Sequence, residues 1–173
     1  MARNVLLIDC CVRGEQSRTL KLAQRYLDTL EDVQVNHQKL YELNLAPLSY
    51  EETVERKRTD IAETFAQADE IVVAAPYWDL SFPSILKVYL EHVCVTGITF
   101  HYVGYETQGL CKAKKAVYIS TAGGFVGAHH MGEEYVETVF RTMFSIPEFH
   151  TIRCEGLDLP DADPEALVAE AAL

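Results

Sequence analysis

Residues 4–30 constrain the fold of this chain more than any other stretch. They begin with an uninterrupted apolar run, residues 5–8, which is typical of a parallel strand covered on both of its faces. An apolar stripe at helical spacing then predicts an amphipathic helix: Leu20, Ala23, Leu27 and Leu30. The stretch therefore predicts a strand, a polar turn and a helix, with Ser17 or Thr19 as the residue that caps the helix.

The polar turn, residues 11–19, has the properties of a phosphate cradle. A turn that leads from a strand into a helix ends on free N–H groups, which attract an anion. Ser17 and Thr19 add hydroxyl groups, and Arg18 adds a local positive charge. The chain has no GxGxxG and no GxxxxGKS/T sequence, so neither the usual dinucleotide fingerprint nor a P-loop NTPase is supported.

The rest of the chain repeats the alternation of strand and helix. Further strands are predicted at residues 33–40, 70–75, 115–120 and 149–154, and further helices at residues 51–68, 83–97, 131–145 and 163–173. Residues 98–109 show no regular pattern, so we expect an irregular segment there, with Phe100, Tyr102 and Tyr105 exposed or at an interface. The alternation predicts a three-layer αβα sandwich around a five-stranded parallel sheet, in one domain over residues 1–173.

Unusual loops follow the first, third and fourth predicted strands, at residues 11–19, 76–83 and 121–127. In the strand order 2-1-3-4-5 these three strands are neighbours. Ligands in open parallel sheets bind beyond the carboxyl ends of the strands, at the point where the chain changes direction. We therefore expect the three loops to converge on one binding site.

The second and third loops suit a flat ring. Tyr77 and Trp78 offer flat surfaces beside exposed backbone amides, and Gly123 and Gly124 carry no side chain that would keep a planar group from the backbone. With a phosphate at the first loop, the combination describes a mononucleotide that has an aromatic base. A flavin mononucleotide, FMN, fits this description best.

Composition excludes several classes of function. The formal net charge of −11 argues against nucleic acid as a partner, because nucleic-acid binding depends on clustered Lys and Arg. No segment approaches the roughly 18 apolar residues of a membrane span, and the first apolar run is too short for a signal peptide. Five cysteines without CxxC spacing favour reduced thiols in a cytoplasmic protein. His129 and His130 have no third ligand nearby in the sequence, so no metal site is expected.

Four motifs carry a family resemblance that covers nearly the whole chain. They are the turn CVRGEQSRT, the block APYWDLSFPSILKVYLEHV followed by GITFHY, the segment GLCKAKKAVYISTAGG, and the late IPEF. The middle block, a loop rich in proline and aromatic residues before a helix that begins at a proline, is the most specific. On these motifs the chain resembles the flavodoxin-like NAD(P)H:quinone oxidoreductases and FMN-dependent NADH-azoreductases.

The resemblance implies a flavodoxin-like fold, bound FMN, and NADH or NADPH as cosubstrate. It implies two-electron transfer to quinone- or azo-type acceptors by a ping-pong scheme without a catalytic nucleophile, and a homodimer whose interface Phe100, Tyr102 and Tyr105 could line. Residue by residue, the phosphate loop corresponds to Cys11, Ser17, Arg18 and Thr19. The loop beside the isoalloxazine ring corresponds to Pro76, Tyr77, Trp78, Asp79 and Leu80. The second ring-contacting loop corresponds to Thr121, Ala122, Gly123 and Gly124.

Two departures from the family pattern concern the site. The family often has Ser-Pro-Arg where this chain has Cys11-Val12-Arg13, and often has Asn where Asp79 stands. A carboxylate near a ring that gains negative charge on reduction disfavours the reduced form, unless Asp79 points outward. This departure bears on the cofactor potential and on the choice of substrate.

Three alternatives remain open at this stage. Low-molecular-weight phosphatases and arsenate reductases also place a cysteine loop after the first strand, but they need Cys-x5-Arg, and here six residues separate Cys11 from Arg18. A flavodoxin-type electron carrier would use the acidic surface to dock basic redox partners. The third alternative is a family member that has lost its flavin and only binds or regulates.

Overall fold

The computed structural model describes residues 2–55 and 59–173. Its strands are β1 (Arg3–Asp9), β2 (Val33–Lys39), β3 (Glu70–Ala74), β4 (Phe100–Val103), β5 (Glu106–Gly109), β6 (Lys115–Thr121) and β7 (Glu148–Cys154). Its α-helices are α1 (Arg18–Asp28), α2 (Tyr50–Val54), α3 (Thr59–Gln67), α4 (Ser84–Val93), α5 (Met131–Phe144) and α6 (Pro164–Glu170). Among these described residues, no helix is both long and apolar enough to cross a membrane.

Five strands form one parallel sheet in the order β2-β1-β3-β6-β7. Because β4 and β5 pair only with each other, this arrangement is the predicted order 2-1-3-4-5, and the predicted fold class is confirmed. Helices α3, α4 and α5 pack on one face of the sheet, and α1 and α6 pack on the other. The result is the expected three-layer αβα sandwich.

The position of β1 between β2 and β3 explains why residues 5–8 are apolar without interruption. Leu6 and Ile8 point into the core beneath α3 to α5, whereas Val5 and Leu7 point into the core beneath α1 and α6. All four side chains are at most 2% exposed. A strand covered on both faces has no position for a polar side chain between its ends, so the alternation of a half-exposed strand is absent.

Two predicted elements differ from the structure. The helix predicted over residues 51–68 is two helices, because α2 ends at Val54 and α3 begins at Thr59. The intervening part of that prediction, residues 56–58, lies outside the described residues. Polar and charged residues dominate the first half of this stretch, and α2 has no buried residue, whereas α3 buries four.

The prediction of an irregular segment over residues 98–109 was wrong. The strands β4 and β5 form an antiparallel hairpin that turns at Gly104, whose φ is +64°. Each strand has only four residues, and β5 has no large apolar side chain, so the periodicity of the sequence is too weak to reveal the hairpin. Phe100 is buried, contrary to the expectation that it lies at the surface, whereas Tyr102 and Tyr105 are exposed.

Candidate active site

A cleft of about 180 Å³ opens at the carboxyl ends of β1, β3 and β6. Its lining residues are Cys11, Val12, Arg13, Ser17, Arg18, Thr19, Pro76, Tyr77, Trp78, Thr121, Ala122, Gly123, Leu157 and Asp158. The structure thus brings together ten of the thirteen residues predicted from the sequence. The other three, Asp79, Leu80 and Gly124, lie outside the lining.

The first loop presents the amino end of α1 to the cleft. Ser17 is the capping residue, and its hydroxyl accepts a hydrogen bond from the N–H of Leu20 at 3.3 Å. Arg18 and Thr19 supply the first N–H groups of the helix, which have no acceptor within the helix. These N–H groups and the positive end of the helix dipole favour an anion in the cleft.

The hydroxyl of Thr19 joins the first loop to the third. Thr19 is buried, and its Oγ1 lies 2.6 Å from Oγ1 of Thr121, so the two hydroxyls form a hydrogen bond. The carbonyl of Thr121 accepts a hydrogen bond from the N–H of Tyr77 at 3.0 Å, which joins the third loop to the second. Thr121 therefore joins the three loops, and the N–H of Thr19, rather than its hydroxyl, is placed to serve a ligand.

Cys11 lines the cleft and is buried, and its surroundings disfavour the thiolate form. Burial raises the pKa of Cys11, and the neighbouring Asp9 raises it further, although Ser17 acts in the opposite direction. Asp9 also accepts a hydrogen bond from the N–H of Cys11 at 2.8 Å and pairs with Nε2 of His37 at 2.8 Å. Because a phosphatase of the cysteine-loop type needs a thiolate, this environment argues against that alternative.

The second loop contains a tight two-residue turn from Trp78 to Ser81. The N–H of each of these residues donates to the carbonyl of the other, at 3.0 and 2.8 Å. Asp79 and Leu80 occupy the tip, with φ values of +50° and +67°, as a type I′ turn requires. Both tip residues are exposed, and neither is among the residues that line the cleft.

The amides of the second loop differ from the sequence-based expectation. Exposed backbone amides were predicted beside Tyr77 and Trp78, but the N–H groups of these two residues are bonded within the protein. The indole of Trp78 is 40% exposed at the edge of the cleft, and the Tyr77 hydroxyl donates to the carbonyl of His129 at 3.2 Å. The loop therefore offers flat side chains to a ligand rather than free amides at these two positions.

A fourth segment, which follows β7, completes the cleft and was missed in the sequence. The N–H of Leu157 donates to the carbonyl of Ala122 at 3.2 Å, and the N–H of Asp158 donates to the carbonyl of Gly123 at 2.8 Å. A Cβ atom at Gly123 would lie 2.2 Å from Oδ2 of Asp158, whereas a Cβ atom at Gly124 would meet nothing within 4 Å. The group that lies against Gly123 is therefore the Asp158 carboxylate. The close approach of a planar ligand to Gly123 and Gly124 stays a prediction.

The charges that line the cleft come from three residues. Arg13 and Arg18 are the cations, and Asp158 is the anion. Nη1 of Arg18 lies 2.6 Å from Oδ1 of Asp158, and the two side chains are 34% and 67% exposed. The sequence singled out Arg18 but contained no local pattern that pairs it with an acid 140 residues away.

A doubly wound parallel sheet with a cleft at its change of direction is the architecture of flavodoxin-like proteins. Residues 3–173 match the Flavodoxin_2 family, which is described by its flavodoxin-like fold. The chain belongs to this family.

Two relatives and one solved structure show how far the similarity extends. An FMN-dependent NADH:quinone oxidoreductase of Clostridium perfringens is 35% identical over an alignment 184 positions long. The alignment covers 96% of this chain and 92% of the relative. FMN-dependent NADH:quinone oxidoreductase 2 of Clostridium acetobutylicum is 45% identical over 112 residues, 62% of this chain, so the match spans only 56% of that relative's length. The structure of an FMN-dependent NADH-azoreductase from Bacillus anthracis in complex with FMN has a TM-score of 0.80 at 17% identity and covers 98% of this chain and 93% of that one. At this identity the structural match shows the fold.

Proposed function

We propose that this protein is an FMN-dependent oxidoreductase that uses NADH or NADPH to reduce a quinone- or azo-type small molecule. The observation that carries the proposal is the cleft in which the amino end of α1, the aromatic loop at Tyr77 and Trp78, and the third loop at Thr121 meet. The relatives named FMN-dependent NADH:quinone oxidoreductase support it, one of them over 96% of this chain.

The groups that line the cleft fit a phosphorylated ring compound. The N–H groups of Arg18 and Thr19, the Ser17 hydroxyl and the Arg18 guanidinium would hold the phosphate of FMN, because all are hydrogen-bond donors near a helix amino end. Trp78 would flank the ring, and Gly123 adds no side chain of its own beside the Asp158 carboxylate.

The reaction oxidises one NADH to NAD⁺ and reduces one quinone to a hydroquinone, with uptake of one proton. The chemistry that FMN supplies when bound is the acceptance of a hydride and its delivery, as an electron pair with a proton, to the acceptor. The protein binds the phosphate at α1, orients flat molecules against Trp78, and keeps Cys11 protonated so that no thiolate competes. Asp79 is exposed and is not among the lining residues, which supports the expectation that its negative charge stays off the ring.

The visible spectrum of the purified protein tests this proposal. We expect FMN to bind when it is added, with quenching of its fluorescence, and its absorbance to bleach when NADH is added without oxygen. Adding a quinone should restore the absorbance. A folded protein that takes up no FMN contradicts the proposal, and one that binds FMN but is not reduced by NADH or NADPH is instead an electron carrier.

The assembly and the location of the protein are part of the same proposal. We expect a homodimer with Tyr102 and Tyr105 at its interface, because these hairpin side chains are 61% and 105% exposed and apolar over most of their surface. We also expect a single domain over residues 1–173 in the cytoplasm, which agrees with five cysteines that are all free. Light scattering of the wild type and of Tyr105→Asp tests the dimer, since the variant should have a lower mass.

A further inference from the structure

Asp158 lines the cleft and pairs with a cation of the first loop. Its Oδ1 is 2.6 Å from Nη1 of Arg18, the cation that stands at the amino end of α1. A phosphate bound at that helix end would seek the same guanidinium. Arg18 would then have two competing partners, the bound phosphate and the Asp158 carboxylate of the chain itself.

The backbone fixes Asp158 at this place. The N–H of Asp158 donates to the carbonyl of Gly123 at 2.8 Å, and the preceding residue, Leu157, is bonded to Ala122 in the same way. The carboxylate occupies the space that a side chain at Gly123 would need, since a Cβ atom there would be 2.2 Å from Oδ2. When a ligand takes Arg18, only the side chain of Asp158 can turn away, and its charge stays at the rim of the cleft.

We infer that Asp158 is an internal competitor for Arg18 that lowers the affinity of the cleft for the phosphate group of FMN. This inference rests on the proposed function, because it concerns the same cleft and the same ligand. Asp158 offsets part of the positive charge of Arg18. A phosphate must displace the Asp158 carboxylate from Arg18 and still remain close to the negative charge of that carboxylate. The net charge of −11 gives the phosphate no compensating attraction from the rest of the chain.

The comparison of FMN with riboflavin isolates the phosphate, because the two differ only in that group. Asp158→Asn removes the charge and keeps the size of the side chain and its backbone bonds. For charges a few ångströms apart in partly exposed surroundings, we expect FMN to bind roughly five- to tenfold more tightly to this variant. Riboflavin affinity should change by less than about twofold, since riboflavin has no charge for Asp158 to repel.

Asp161→Asn is the matched control. It makes the same change of charge three residues further along the same loop, at an exposed residue with a φ of +66° that Asn tolerates. Its carboxylate does not line the cleft. We expect the affinities of this variant for FMN and riboflavin to stay within about twofold of the wild type, because exposed charges outside the site are screened by solvent.

Dissociation constants from flavin fluorescence titration, with thermal unfolding of each variant, decide between the outcomes. A larger gain for FMN than for riboflavin in Asp158→Asn, absent in Asp161→Asn, supports the inference. Equal FMN affinity in the wild type and Asp158→Asn, or equal gains for both flavins, overturns it while leaving the proposed function intact. Failure of every folded variant to bind FMN contradicts the proposed function and the inference that rests on it.

Discussion

At the amino ends of β1, β3 and β6 the charged side chains pair with one another. At the carboxyl ends of the same strands, hydrogen-bond donors face a cleft. Glu70, at the start of β3, is 1% exposed. Its carboxylate binds Nη1 of Arg3 at 3.0 Å and the hydroxyl of Tyr26 at 2.5 Å, and it lies 3.5 Å from Nζ of Lys115. Among these described residues, each charge is met by another part of the chain.

The pKa directions at the amino ends agree with a closed network. Burial and the bond to Glu70 raise the pKa of Tyr26, although Lys115 acts against them. Burial alone lowers the pKa of Lys115, but its bonds to Tyr26 and Glu70 outweigh that effect and raise it. At the carboxyl ends, by contrast, Arg18 pairs with Asp158, whose side chain is 67% exposed and has room to turn toward solvent. We therefore expect the charges at the amino ends to serve stability and propose that those at the carboxyl ends serve binding.

The largest expected effect is on stability and belongs to the amino ends. Glu70→Ala should lower the free energy of unfolding by about 3 kcal/mol, because the bonds of Arg3, Tyr26 and Lys115 to a buried carboxylate are lost. The FMN dissociation constant should not change. Urea unfolding and flavin titration measure the two quantities, and Glu31→Ala, at an exposed carboxylate of the same end, is the control. A change in FMN affinity larger than that in stability would break the comparison.

The next largest effect is on binding and belongs to the carboxyl ends. Arg18→Ala should weaken FMN binding roughly ten- to thirtyfold, because a charge-assisted hydrogen bond to the phosphate is lost. Stability should change by less than about 0.5 kcal/mol, since the pair with Asp158 is partly exposed. Lys21→Ala removes a cation one turn further along α1 that pairs with Glu165 outside the cleft, and it should leave FMN binding unchanged. Equal losses in both variants would mean that general charge, and not this site, binds the phosphate.

Ser17 is expected to matter for both properties, because it caps α1 and lines the cleft. Ser17→Ala should lower the free energy of unfolding by about 1 kcal/mol, the usual value of a capping hydroxyl, and should also weaken FMN binding. Ser49→Ala is the matched comparison, since Ser49 caps α2 far from the cleft lining. It should cost stability alone. If both variants leave the affinity for FMN unchanged, the Ser17 hydroxyl is structural only.

Local patterns predicted the five strands of the parallel sheet, their order and ten of the cleft residues, because those features repeat along the chain. A strand covered on both faces is apolar at every position, as residues 5–8 are, and a loop at the end of such a strand reaches the rim of the sheet by topology alone. What the sequence did not predict depends on contacts between distant residues. Examples are the hydrogen bond of Thr19 to Thr121, the place of Asp79 outside the cleft lining, and the ion pair of Arg18 with Asp158.

The segment after β7 could have been included in the predicted site. Strand β7 is parallel to β6, so it also ends at the carboxyl rim of the sheet. Gly156 and Asp158 follow it within four residues. The hairpin of β4 and β5 was not accessible in the same way. Its four-residue strands have burial that alternates only weakly, and its stability depends on packing against α5, which local periodicity does not report.

The smallest expected effect is a dependence of stability on pH at the amino ends. The hydrogen bond from Lys112 lowers the pKa of Asp69, and the N–H of Asn4 lowers it further. A carboxyl group whose pKa is lowered by folding stabilises the folded state above its unfolded pKa, about 4, and loses that contribution as the pH falls through the lower folded value. Because the Asp69 and Lys112 side chains are 27% and 58% exposed, the contribution at pH 7 should not exceed about 0.5 kcal/mol.

Asp69→Asn isolates this contribution. The variant should be less stable than the wild type at pH 7, and the difference should shrink as the pH falls below about 4, because the wild-type carboxyl group is then protonated as well. Urea unfolding at pH 7 and at several values between 3 and 5 measures it, with Asp161→Asn at the carboxyl rim as the control. A difference that stays constant over this range would show that Asp69 acts through its hydrogen-bonding shape rather than its charge. FMN affinity that changes in Asp69→Asn would show that the two ends of the sheet are coupled, and the division between stability and binding would no longer hold.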